Sequence, residues 1–228
     1  MEQTDDVLAF NFWPSFADSM LAVVFILIVV LVFVAQQGLA GFATIRASQS
    51  SVVRSIARSY QAEIDTVQEG VTRTVYSIRK DGTQQLQIDQ DVQLQRIMFQ
   101  GNVLFAPNDY QLTGRGREVL RFVGEAIRSE LGRIAQLQIE GHTDLYPTDR
   151  YAGGNLELGA RRARSVLRFL ERDVGIDPAR HLMSATSYGP FRPVGRDPGE
   201  AYDEDQLWEA NNEADERRRN RRIELLLV

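Results

Sequence analysis

Leu137-Gln138-Ile139-Glu140-Gly141-His142-Thr143-Asp144 is the stretch on which the fold turns. Its first four residues alternate apolar and polar, the pattern of a strand with one face buried, and Gly141 then opens a polar run that ends on a carboxylate. Past a loop holding Tyr151, Gly153 and Gly154, Leu158, Val166, Leu167 and Leu170 recur at helical spacing over about 156–173, and Gly175 stops that helix. Upstream, Val103-Leu104-Phe105 reads as a short strand and Pro107-Asn108-Asp109 as a turn. Thr113 then caps a helix with Val119, Leu120, Phe122, Val123, Ile127 and Leu131 on one face. Downstream, Asp177-Pro178 opens a turn and strands follow near 182–188 and 222–227. The order strand-helix-strand-helix-strand-strand over 97–228 predicts an α+β fold, a βαβαββ sandwich of two helices on one sheet.

Residues 36–96 read as a connector. Ile45, Val52, Val53, Ile56, Tyr60 and Ile64 fall at spacings near three and four, a narrow stripe suited to pairing with a second copy or to a solvated, partly helical tether. Residues 71–78 and 84–88 alternate around Lys80-Asp81-Gly82, a hairpin signal that extends or precedes the sheet.

Residues 12–35, FWPSFADSMLAVVFILIVVLVFVA, are apolar except for Ser15, Asp18 and Ser19. About twenty residues at a rise of about 1.5 Å span roughly 30 Å, the hydrocarbon thickness of a bilayer, so 16–35 is expected to cross a membrane after a short tail, 1–15. A cleaved signal peptide would open with a basic region, yet Glu2, Asp5 and Asp6 stand there with no Lys or Arg. An acid in a span costs about 2.5–3.5 kcal/mol near the bilayer centre, so Asp18 is expected to face protein or water. Low dielectric favours the neutral carboxyl, which suits a group that loads and unloads an ion. Its plainer role is that of a helix cap.

The net charge of −5 argues against general nucleic-acid binding. The absence of cysteine excludes disulfides, thiolate metal sites and a lipidated anchor. With only His142 and His181, no histidine-rich metal site can be built, and no cofactor or metal is expected. No Ser-His-acid constellation or glycine elbow suggests an enzyme.

Around Asp18, Trp13-Pro14-Ser15-Phe16-Ala17-Asp18-Ser19-Met20 resembles the opening of the membrane helix of MotB-type stator subunits. Four further motifs resemble the OmpA-like peptidoglycan-binding domain: Ile139 to Asp144; Asn155-Leu156-Glu157-Leu158-Gly159-Ala160-Arg161-Arg162-Ala163; Tyr188-Gly189 with Pro193-Val194; and Asn220-Arg221-Arg222-Ile223-Glu224. The resemblance implies that Asp144 and Arg162 hold the diaminopimelate of a peptide stem, with Thr143, Asn155 and Leu158 in the same pocket. A carboxylate for the ammonium and a guanidinium for the carboxylate fit that zwitterion. Asp144 and Arg162 could instead form a simple structural ion pair. Gly159 departs from the family's usual serine, the 144–155 loop is longer than usual, and 197–212 form an acidic excursion.

The same resemblance implies an ion-relay role for Asp18, a multi-span MotA/ZorA-like partner in five copies, two copies of this chain, and an inner-membrane location. The short acidic tail and compact connector are more similar to ZorB, the B subunit of Zorya anti-phage systems, than to flagellar MotB proteins. A passive envelope tether is the alternative. Arg46, Arg54 and Arg58 follow the span, and a positive-inside count alone would leave the C-terminal domain in the cytoplasm. Wall binding requires the opposite orientation, and the four motifs outweigh that small asymmetry.

Overall fold

A computed structural model describes residues 13–70, 73–80, 82–91, 94–196 and 199–228, without the side chains of 38–49. Glu2, Asp5, Asp6 and Phe12, the side chains of Ile45 and Arg46, and Val71, Asp81 and Asp197 lie outside the described residues.

The chain divides into two units, 1–44 and 45–228. In the first, helix α1 (Trp13–Tyr60) begins, and its Trp13–Gln37 part is long and apolar enough to cross a membrane, with a mean hydropathy of 2.9. Every described side chain there is exposed, as a helix apolar all round must be without lipid or a partner around it. Asp18 sits in its second turn, and the Ser19 hydroxyl donates to the Ser15 carbonyl (2.9 Å).

The second unit is an α+β domain on a seven-stranded mixed sheet, ordered β1-β2-β3-β4-β7-β5-β6. The strands are β1 (Glu63–Glu69), β2 (Thr74–Lys80), β3 (Thr83–Gln90), β4 (Gln95–Gln100), β5 (Gln136–His142), β6 (Leu182–Gly189) and β7 (Arg222–Leu227). Among the described strands only β5 and β6 run parallel, joined by helix α4 (Gly154–Phe169), while β7 inserts antiparallel between β4 and β5. One sheet face is apolar: Ile97 and Phe99 of β4, Leu137 and Ile139 of β5, and Ile223 and Leu225 of β7 are fully buried. Over it pack Val119, Leu120 and Val123 of α3 (Gly114–Glu130) and Ala163, Val166 and Leu170 from α4 and the turn after it. Thr113 caps α3 as its position predicts, accepting from the Gly116 amide at 2.9 Å.

Three expectations change. The stripe at Val52, Val53, Ile56 and Tyr60 is buried in this same core, not against a second copy; Tyr60 packs on Phe122 (centroids 5.3 Å) and Ser51 donates to Glu130. The helix does not fray to residue 70. It ends at Tyr60, where Gln61 takes a left-handed φ of 52°, and Glu63–Glu69 becomes the exposed edge strand β1. Val103-Leu104-Phe105 is not a strand: Gly101–Leu104 form a single helical turn, α2, and Phe105 alone bridges to Leu112. The hairpin joins the sheet directly, with Lys80 opposite Thr83, and β4 begins at Gln95.

Gly159 is explained by close approach. A Cβ at Gly141 would lie 2.1 Å from the Gly159 carbonyl oxygen, and one at Gly159 would lie 2.2 Å from the Ser187 hydroxyl. The Ser187 side chain of β6 occupies the space that a larger residue at 159 would need. Packing of α4 on the sheet therefore offsets the lower helix propensity of glycine.

Candidate peptidoglycan-binding cleft

The sheet order brings the ends of β5 and β7 together. Their last paired residues are His142 and Arg222, so Thr143 and Asp144 leave β5 where Arg221 enters β7. The Thr143 amide donates to the Gly189 carbonyl (2.9 Å), holding the exit of β5 against β6. Asn155, in the first turn of α4, donates from Nδ2 to the carbonyls of Asp144 (3.0 Å) and Tyr146 (2.8 Å), pinning the loop to the helix. Leu158 and Arg162 follow on that helix face at three- and four-residue spacing.

These elements enclose a cleft of about 620 Å³. All five residues expected from the sequence, Thr143, Asp144, Asn155, Leu158 and Arg162, line it. Asp144 is 6% exposed and Arg162 5%, so a carboxylate and a guanidinium sit deep in one opening. They form no ion pair with each other among the described residues. Asp144 pairs instead with Nη1 of Arg221. Arg162 donates from Nε to the Asp109 carbonyl (2.8 Å), and its guanidinium lies 5.2 Å from the Phe105 ring centroid. Burial pushes the Arg162 pKa down from its ordinary value and Arg221 adds to this, while Tyr151, Asp144 and Asp109 oppose it. Its Nη groups make no hydrogen bond among the described residues, and a buried cation with such donors gains from an incoming carboxylate. The Thr143 hydroxyl is buried without a hydrogen-bond partner among the described residues, a further polar group open to a ligand or water.

Sequence reasoning missed the other side of the cleft. Asn108 takes a left-handed φ of 51°, which asparagine tolerates, and its carbonyl accepts from Arg150 Nη1 (3.0 Å) and the Tyr151 hydroxyl (2.9 Å). The Asp109 carboxylate accepts from the amides of Tyr110 (2.7 Å) and Gln111 (3.2 Å). The Gln111 amide is the main reason its pKa is lowered. Arg221 belongs to the fourth motif, but the motif alone gives it no place in the cleft. The signal that could have found it is antiparallel pairing, which sets it beside Thr143 and Asp144. Asn220 fixes its approach: Nδ2 donates to the Ala210 carbonyl (2.8 Å) and Asn211 Oδ1 (2.9 Å), and its own Oδ1 accepts from the Val194 amide (2.8 Å).

Behind the cleft, the opposite sheet face carries a buried charge layer. Glu140 pairs with Arg192 (2.7 Å), and Glu224 with Arg222 (2.5 Å) and Arg96 (2.9 Å). His142 lies between the acids, 3.5 Å from Glu140 and 3.9 Å from Glu224, and stacks on Tyr188. Donor atoms of Glu140, His142 and Glu224 come within 4.8 Å of one another, a spacing that a metal ion would accept. Three guanidiniums already face the two carboxylates, so the donor set does not suit a dication.

Residues 104–202 match the OmpA family. No curated protein sequence matches the chain. Among solved structures, a MotB-like protein from Desulfovibrio vulgaris is 27% identical with a TM-score of 0.51, over 63% of this chain and 80% of that one. A periplasmic domain of MotB is 21% identical with a TM-score of 0.51, over 71% and 77% of the two chains. The second likeness concerns the fold alone. The cell wall anchor of the type VI secretion system of Pseudomonas aeruginosa is 21% identical with a TM-score of 0.45, over 77% and 93%, a likeness too low to carry an argument.

Proposed function

We propose that this chain is the peptidoglycan-anchored B subunit of an ion-driven, MotA/MotB-like stator in a bacterial inner membrane, with its N-terminus cytoplasmic and its C-terminal domain periplasmic. The observation that carries the wall-binding half is the convergence of Asp144 and Arg162 in one cleft of an OmpA-like domain. A diaminopimelate centre would present its ammonium to Asp144 and its carboxylate to the free Nη groups of Arg162, with Thr143, Asn155 and Leu158 shaping the pocket. Binding a wall component calls for no catalytic group.

Asp18 supports the stator half. A passive anchor gains nothing from a carboxyl group in its apolar helix, whereas an ion relay needs one. One helix cannot enclose an ion path, so a multi-span A-type partner of the MotA or ZorA kind, in five copies around two B chains, completes it. Within this class we place the chain with ZorB-like subunits of anti-phage defence, on the acidic residues Glu2, Asp5 and Asp6 ahead of the span. A flagellar-type stator subunit and a passive wall tether are the competing assignments.

Asp18→Asn, assayed for proton flux and phage protection beside the A-type subunit of the neighbouring gene, tests the relay. Unchanged activity leaves only the tether. Intact sacculus pull-down by both Asp144→Ala and Arg162→Ala removes the wall-binding half.

A further inference from the structure

The outer face of α4 carries a second groove, of about 440 Å³, lined by Tyr110, Glu157, Arg161, Arg164, Ser165 and Arg168. It is separate from the cleft holding Asp144, yet consecutive residues feed the two: Arg162 turns into the cleft and Arg161 into the groove. Arg161 is held in place. Glu157 takes its Nη2 at 2.6 Å and Nε at 2.7 Å, and its guanidinium lies 5.2 Å from the ring centroids of both Tyr110 and Tyr151. Glu157 is itself fixed by the Gly153 amide (2.8 Å). Arg164 and Arg168 are exposed and make no hydrogen bond or ion pair among the described residues. Cations three and four residues apart on one helix face repel, so three arginines against one acid is an arrangement that helix stability alone does not favour.

We infer that this groove is a second, anion-binding subsite, which takes peptide-stem carboxylates of the wall polymer next to the stem held at Asp144. The inference rests on the wall-binding role of the cleft. Peptidoglycan repeats carboxylate-bearing stems along each strand, so a polymer seated in one opening presents further carboxylates to its neighbour. Guanidiniums bind carboxylates in bidentate fashion, and Arg161, already fixed on the two tyrosines, loses little freedom when it does so. The groove raises affinity for the polymer and not for a single diaminopimelate, because two linked contacts exceed either alone.

The test uses the full-length chain in detergent, with purified sacculi and free diaminopimelate as probes. Arg164→Gln/Arg168→Gln is expected to weaken sacculus binding about five- to tenfold at low salt and to flatten its salt dependence, with diaminopimelate affinity unchanged. An Arg133→Gln/Arg180→Gln control, also at exposed arginines, is expected to bind sacculi as the wild type does. Wild-type sacculus binding by the 164/168 variant, or an equal loss in the control, overturns the subsite. So does a loss seen with anionic phospholipid vesicles and not with sacculi. The two openings fail separately: Asp144→Ala abolishes diaminopimelate binding if the cleft is assigned correctly, whatever the arginine variants do.

Discussion

Asp144 and Arg221 form an ion pair across 77 residues of sequence, and the partners are unequally exposed: the Asp144 side chain is 9% exposed and that of Arg221 44%. Removing the outer partner strands a buried carboxylate, whereas removing the inner one releases an arginine to water. Arg221→Gln is therefore expected to cost about 1–2 kcal/mol of domain stability, a value reduced by the partner's exposure, and Asp144→Asn less. Thermal melts give the order. Diaminopimelate should restore more stability to Arg221→Gln than it adds to the wild type, since its ammonium replaces the lost cation; equal shifts would argue against Asp144 as its contact.

Gly159 is expected to resist enlargement. Gly159→Ala drives a methyl into Ser187 and is predicted to destabilise by about 1–3 kcal/mol in denaturant unfolding. Pairing it with Ser187→Gly should recover much of the loss. No recovery would mean that the Gly141 carbonyl, and not the hydroxyl, sets the limit.

Burial pushes the His142 pKa below the ordinary histidine value, and Arg222 acts the same way, against Glu140 and Glu224. The unfolded chain therefore takes up this proton first as pH falls. Stability is expected to decline from about pH 7.5 downward through the ordinary histidine range, by up to about 1.4 kcal/mol per pH unit for one proton, until the lowered native value is reached. Melts of the wild type and His142→Asn across pH 7.5–5.5 read the difference in slope. An imidazole seen by NMR to titrate at or above the ordinary value contradicts this.

Ile56, in the stretch read as either a self-pairing stripe or a solvated tether, is fully buried in the domain core. Ile56→Ala is predicted to lower unfolding stability by about 2–5 kcal/mol, independent of protein concentration. A loss that grows on dilution would return this stripe to a dimer interface.

Much of the domain was legible because its signals are local. The alternation in Leu137-Gln138-Ile139-Glu140, the Thr113 cap and the Gly175 stop each act within a few residues, and the strand and helices form where those signals lie. The misreadings share a different cause. Periodicity at Val52, Val53, Ile56 and Tyr60 shows that a face is covered but cannot say by what. Val103-Leu104-Phe105 is apolar enough for a strand; instead α2 tucks beneath α3, with the Leu104 carbonyl accepting from the Thr113 amide at 3.0 Å. The polar positions Glu140, His142, Arg222 and Glu224 read as a solvent face, yet they are buried under the segment around Arg192, whose carbonyl accepts from Arg222 at 3.2 Å. In the cleft, the side chains just after β5 and on α4 could be named from motifs. Arg221 depended on which strand lies beside β5, a tertiary fact that spacing does not encode.

The burial of Val52, Val53, Ile56 and Tyr60 also sets how the domain bears load. A tether ending at a surface loop would transmit tension to one strand and could peel it away hydrogen bond by hydrogen bond. Here the segment that receives any pull arriving from the N-terminal side is wedged among α3 and the sheet, so force spreads through packed side chains that must slide together. Rupture of the domain under such a pull would then require its core to yield as a whole.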